Sequence, residues 1–175
     1  MVIKNLTVEV STEGLRLTEF SDKEITRRDS FRFKEKSDHL FKEQLESFFK
    51  DKGYSFSDFE ECVVSWASKE TALIPSGVFS ESDPESIYRL CFNYPVTAQQ
   101  IDYNRIPELQ LVNVFDIPHW LKSFFVIRFP RVVIQHEGTL LLRGIFGGST
   151  FKPKAIAVLH KEYFTFIIVK ENNLL

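Results

Sequence analysis

Apolar and polar residues alternate at the start of the chain. Val8, Val10, Leu15 and Leu17 keep one phase, Glu9, Arg16 and Thr18 the other, with Gly14 between the runs. Period two marks a strand with one buried face. A glycine between two such runs predicts a hairpin whose turn takes positive φ at that residue. Residues 24–33 form a weaker third strand, ending on Phe31 and Phe33. The period then changes. Phe41, Leu45, Phe48 and Phe49 fall on one helical face, behind Ser37 or Asp38 as cap and before Gly53 as stop.

Residues 61–67 (ECVVSWA) are apolar on both phases, which predicts a central strand covered on two sides. TALI at 71–74 returns before Pro75. DPESIYRLCF at 83–92 opens as a helix, with Asp83 as cap and Pro84 first in the helix, although its later part also reads as a strand. Tyr103 and LQLVNVF at 109–115 predict two more strands. Asp116 and Pro118 open an apolar helix through Trp120, Leu121, Phe124, Phe125 and Ile127, ended by Pro130. A strand at 131–135 and a further apolar element at 139–146 follow. GGSTFKPK at 147–154 reads as a linker, and residues 156–169 alternate again.

The two ends of the chain superpose with a shift of 149 residues. Val8 falls on Ala157, Val10 on Leu159, Glu13 on Glu162, Leu15 on Phe164 and Leu17 on Phe166. The expected division is a domain over 1–146 with an insertion at about 70–115. The linker 147–154 follows, and then the start of a second, related domain over 155–175. A lone hairpin is marginal in water, so the second unit needs a partner surface.

Three strands, a helix, a strand, an insertion, a helix and a strand resemble the order of the ribonuclease H-like unit, the repeated half of actin-like ATPases. NLTVEVSTEGLRLTEF near the start, VVSWASKETALIPSGVF at 63–79, VNVFDIPHWL at 112–121, FPRVVIQHEGTLL at 129–141 and the closing FTFIIVKENNLL sharpen the likeness. Together they resemble an uncharacterised bacterial family of unknown function, chiefly from the Bacteroidetes. That resemblance implies an α+β or α/β, mixed-sheet, actin-like ATPase fold with flanking helices, and two related domains in longer members. It supplies no catalytic residues.

The same fold sets a chemical test. Actin-like ATPases end their first strand on an Asp, followed by Gly and by Thr or Ser, to organise Mg²⁺ and hold phosphates. Here Ser11 stands at the Asp, Glu13 at the glycine and Gly14 at the hydroxyl residue, and no Asp occurs in residues 1–21. Two-metal nuclease chemistry needs several carboxylates, and Glu9 is the one carboxylate of the first strand, on its polar phase. The remaining phosphate candidates are Ser11, Thr12 and Gly14 in the turn and Gly147 and Gly148 in the linker, where no lysine follows in P-loop register. His39, His119, His136 and His160 lack metal-ligand spacing, and Ser65, Ser68 and Ser76 sit in no nucleophile elbow. No catalytic residue, metal site or cofactor is expected.

Composition narrows the classes further. A net charge of −2 argues against a nucleic-acid partner. No run reaches the ~20 apolar residues of a membrane span. Cys62 and Cys91 form no CxxC and read as two buried thiols in a reducing, cytoplasmic setting. Eighteen phenylalanines supply bulk for a large core. The expected function is a non-catalytic actin-like-fold scaffold or protein-interaction module, pairing with a protein or a second copy through 156–169. The alternative is a nucleotide-binding protein with atypical phosphate residues.

Overall fold

The computed structural model describes residues 4–22, 24–34, 37–93, 100–147, 152–170 and 173–174. The alternating amino terminus forms β1 (Lys4–Val10), β2 (Gly14–Ser21) and β3 (Glu24–Arg32), an antiparallel meander. After helix α1 (Asp38–Asp51), β4 (Glu61–Trp66) returns parallel to β1. The sheet is completed by β8 (Val132–His136), parallel to β4, giving the order β3-β2-β1-β4-β8.

The main core lies on one face of this sheet. Leu6, Val8, Val10, Leu15, Leu17, Cys62, Val64 and Trp66 point into it. Against them pack α1 and α3 (His119–Arg128), whose stripes are aromatic because rings fill the gap between helix and sheet with few side chains. Phe41 sits 4.7 Å from Phe33 and 4.8 Å from Trp120, ring centre to ring centre. Phe49 lies 5.7 Å from Phe124. Gly53, with φ +67°, ends α1 as its position predicts.

Residues 71–116 build a second sheet, of β5 (Thr71–Pro75), β6 (Ile101–Ile106) and β7 (Leu111–Asp116) in the order β5-β7-β6. Helix α2 (Pro84–Phe92) covers it through Tyr88. The 83–92 segment is therefore a helix, and Asp83 caps it by accepting from the Ser86 amide at 3.1 Å. Residues 139–146 belong to α4 (Glu137–Phe146). Three expectations need correction. Asp116 does not open α3 but ends β7, where its carboxylate turns back to Ser68, and Pro118 occupies the cap position. Cys91 is exposed on α2, whereas Cys62 is buried as expected.

The third correction concerns Gly14. Its φ is not positive. A Cβ built there would lie 2.2 Å from the Phe31 carbonyl oxygen. Glycine is required because β3 crosses so close to the turn, not because the turn is left-handed.

Near the carboxyl end, β9 (Lys154–Leu159), β10 (Phe164–Lys170) and β11 (Asn173–Leu174) form a separate antiparallel sheet. Its inner face, Ile156, Ile167 and Val169, packs on Leu142 and Ile145 of α4 and on Ile106.

Gly14→Ala is expected to destabilise the chain by about 1–3 kcal/mol through forced overpacking. Gly144→Ala, inside α4 where an added Cβ meets nothing within 4 Å, is expected to stabilise it by up to about 1 kcal/mol. Paired urea denaturation checks both; equal midpoints would refute the steric account.

Candidate functional site

In sheets with parallel strands, ligands bind beyond the carboxyl ends of those strands. Here β1, β4 and β8 end on one line, with Val10 beside Trp66 and Trp66 beside His136. A cleft of about 500 Å³ opens at this edge. One transverse row of the sheet's polar face contributes to its floor: Ser30 of β3, Arg16 of β2, Glu9 of β1 and Ser65 of β4. Its walls are the β1–β2 turn, the start of α4 at Glu137, and Val158, Leu159 and His160 at the end of β9.

Two contacts close the cleft from above. Lys161 Nζ lies 3.4 Å from Glu13 Oε2, joining the two hairpin turns. His160 Nε2 lies 2.8 Å from Glu137 Oε2, and the His160 ring stacks on Tyr163 at 4.2 Å. Glu9 pairs with Arg16 at 3.0 Å. Glu9 and Glu13 of the lining therefore each already have a cation, and Glu137 has an imidazole ring beside it.

The turn that would hold a phosphate is folded on itself. The Ser11 amide donates to the Gly14 carbonyl at 2.9 Å, and the Glu13 amide to Ser11 Oγ at 3.2 Å. A phosphate would have to displace both bonds. Thr12 is exposed and does not line the cleft. Gly147 sits at the other end of α4, where its amide caps the helix on Arg143 O at 2.8 Å. Gly148 lies outside the described residues. The cleft thus collects Ser11 and Gly14, but not Thr12 or Gly147.

Behind the cleft lies a polar cluster that spacing along the chain could not reveal. His136 ends β8, is 3% exposed, and uses both ring nitrogens. Its Nδ1 accepts from the Gly138 amide at 3.0 Å, and its Nε2 faces the Ser68 carbonyl at 3.2 Å. That arrangement fixes the neutral tautomer with the proton on Nε2. It also occupies an amide at the start of α4 that an anion would otherwise use. Ser68 Oγ donates to Asp116 Oδ1 at 3.1 Å, Trp66 Nε1 to Asp116 O at 2.9 Å, and Asn113 Nδ2 to Thr139 Oγ1 at 3.0 Å. Asn104, from β6, binds the edge of β8 by accepting from the His136 amide at 2.8 Å. These bonds tie the second sheet and α4 to the main sheet.

The resemblance to a Ser–His–Asp arrangement is superficial. Asp116 holds Ser68 and not the histidine, and the histidine's proton is spent on a carbonyl. Burial pushes the His136 ring down to about 4, although the Ser68 carbonyl opposes this. Burial raises Asp116 above the usual carboxylate range, against the Ser68 hydroxyl, and Glu70 adds to the rise. Among the described residues no group of three His, Cys, Asp or Glu side chains could hold a metal.

The parallel core of β1, β4 and β8, with the hairpin before it and helices around it, is the actin-like ATPase (ribonuclease H-like) fold. The chain belongs to the family described as Protein of unknown function (DUF3822), whose model matches residues 3–175. It is similar to a crystal structure from Bacteroides thetaiotaomicron described as a protein with actin-like ATPase fold and unknown function. That likeness has a TM-score of 0.75 and 20% identity, over 98% of this chain and 67% of the other. It is also similar to a chain of the PilM–PilN type IV pilus biogenesis complex, with a TM-score of 0.57 and 12% identity over 98% of this chain and 59% of that one. The chain thus spans about two thirds of the first solved relative and less of the second. No curated protein matches it. No described helix is long and apolar enough to cross a membrane.

A group whose pKa is lowered by folding contributes stability that is complete above its unfolded value and lost as pH falls toward the folded one. For His136 that window runs from 6.5 down to about 4. Stability is expected to fall across it by up to about 3 kcal/mol relative to His136→Gln. Asp116, with its raised pKa, works in the opposite direction. Thermal melts of both proteins from pH 7 to pH 4 check this; parallel curves would contradict it.

Proposed function

We propose that the chain is a non-catalytic actin-like module, a scaffold or protein-interaction unit of the cytoplasm, whose contact surface is the β9–β10 hairpin. On this reading residues 155–175 begin a second unit related to the first, residues 147–154 are the link, and residues 71–116 are an insertion in the first.

One observation carries the proposal. The two hairpins share one pairing register under the 149-residue shift. Val10 pairs with Leu15 and Val8 with Leu17; Leu159 pairs with Phe164 and Ala157 with Phe166. Even the turn bond recurs, Ser11 N to Gly14 O and His160 N to Tyr163 O, both at 2.9 Å. Yet burial is opposite. Val8, Val10, Leu15 and Leu17 lie under α1 and α3, whereas Leu159 is 80% exposed, Phe164 68% and Phe166 55%. Apolar groups left in water on a sheet face favour association with another apolar surface. The chain of the PilM–PilN complex supports the reading, since a protein of similar fold there has a protein partner.

A nucleotide-binding reading has one observation in its favour, the position of the cleft at the strand ends. Against it stand the closed turn, the ring on the Gly138 amide and the absence of an Asp at Ser11.

Titration calorimetry with ATP and Mg²⁺ is expected to give no saturable heat. A stoichiometric isotherm with a micromolar Kd would overturn the non-catalytic reading in favour of the nucleotide one. Light scattering is expected to show concentration-dependent association that Phe164→Asp with Phe166→Asp abolishes. Monomers at every concentration, for both proteins, would remove the hairpin face as a self-association surface.

A further inference from the structure

The longest described strand, β3, stands at an edge of the main sheet. Its inner side pairs with β2, and no described strand pairs with its outer side. Such an edge offers a row of backbone donors and acceptors to any extended chain.

The arginines decide which chain fits. The sequence has nine. Seven have a partner: Arg16 on Glu9, Arg27 on Asp29, Arg89 on Glu85, Arg105 on Glu81, Arg128 on Glu46, Arg131 on Glu60, and Arg143 on the Arg105 carbonyl. The remaining two, Arg28 and Arg32, have no partner among the described residues, and both belong to β3. They are four apart, so they lie on one face of the strand about 13 Å from each other. Their neighbours on β2 are Thr18 and Gly14. Neither supplies a carboxylate, and Gly14 leaves Arg32 uncovered. Ser30 lies between them, and Ile25, 48% exposed, extends the same side across the bulge between Glu19 and Phe20. Carboxylates around them are committed elsewhere: Glu9 to Arg16, Glu13 to Lys161, and Asp29 to Arg27, Lys52 and Tyr54.

We infer that the free edge of β3 is a docking site for an extended acidic segment of another protein, with Asp or Glu four residues apart facing Arg28 and Arg32. Strand addition supplies the backbone bonds, and the two guanidiniums select the partner. A strand that adds to β3 places alternate side chains on the arginine face, so carboxylates at positions i and i+4 meet both cations at once. The same two charges repel a basic strand. An uncharged strand would leave two cations partly desolvated and unpaired, so the edge resists indiscriminate pairing while accepting an acidic one. This surface is distinct from the β9–β10 face and does not rest on it.

The test uses the whole chain and a labelled peptide, Thr-Glu-Thr-Val-Thr-Glu-Thr, with a second peptide carrying lysine for glutamate. Fluorescence anisotropy is expected to give saturable binding of the acidic peptide only. Raising salt from about 0.05 M to about 0.5 M is expected to weaken it severalfold. Arg28→Glu with Arg32→Glu is expected to weaken it at least tenfold, and Arg28→Lys with Arg32→Lys to restore part of the loss. Amide shifts on peptide addition are expected to centre on residues 24–32. An unchanged circular dichroism melt keeps the charge reversal interpretable, since among the described residues these exposed side chains hold nothing else in place. Equal binding of the lysine peptide, no binding of the acidic one, an unaffected reversal variant, or shifts centred elsewhere would each overturn the proposal. So would retention on phosphatidylserine vesicles without any binding of the acidic peptide, which would make the arginines a membrane contact.

Discussion

Three strands running in the same direction and stopping on the same line govern this molecule. Val10, Trp66 and His136 close β1, β4 and β8 side by side. Parallel strands need long crossovers, and each crossover must leave from that line. The β1–β2 turn leaves it at Ser11, the second sheet hangs from it beyond Trp66, and α4 starts from it at His136. The cleft is the space these three departures leave between them. Its chemistry follows from how each departure satisfies its own polar groups.

In an actin-like ATPase that space serves phosphate and Mg²⁺. Here the same polar atoms are turned inward. The turn amides bond within the turn, the histidine ring takes an amide of α4, and Asp116 holds Ser68. Glu13 and Glu137 meet Lys161 and His160. The result is a cleft whose groups bind the protein's own hairpins to one another. This is the physical basis for reading the fold as a support for contacts.

Much of the fold was legible because it rests on periodicity. The alternation of Val8, Val10, Leu15 and Leu17 gave the first hairpin its faces and register, and the Phe41, Leu45, Phe48 and Phe49 stripe gave α1. The alternation at 157–166 was visible as a phase, and these residues pair as an antiparallel hairpin. The misreadings share one cause. Gly14 is set by the approach of β3, Asp116 by Ser68, and Cys91 by which side of α2 faces water. Each depends on a contact across the fold. The His136 cluster was illegible for the same reason, since Ser68, Asp116 and His136 become neighbours only through the parallel register and the second sheet.

The central claim is that the outer face of β9 and β10 is built for contact. Hydroxyl-radical footprinting of Leu159, Phe164 and Phe166 over a range of protein concentrations tests it most directly, with Phe124 and Leu45 as buried references. The account predicts that these three side chains are labelled readily when dilute and become protected as the protein concentrates, while the references stay protected throughout. Labelling of Phe164 and Phe166 that stays constant at every concentration, or that already matches the buried references when dilute, would contradict it.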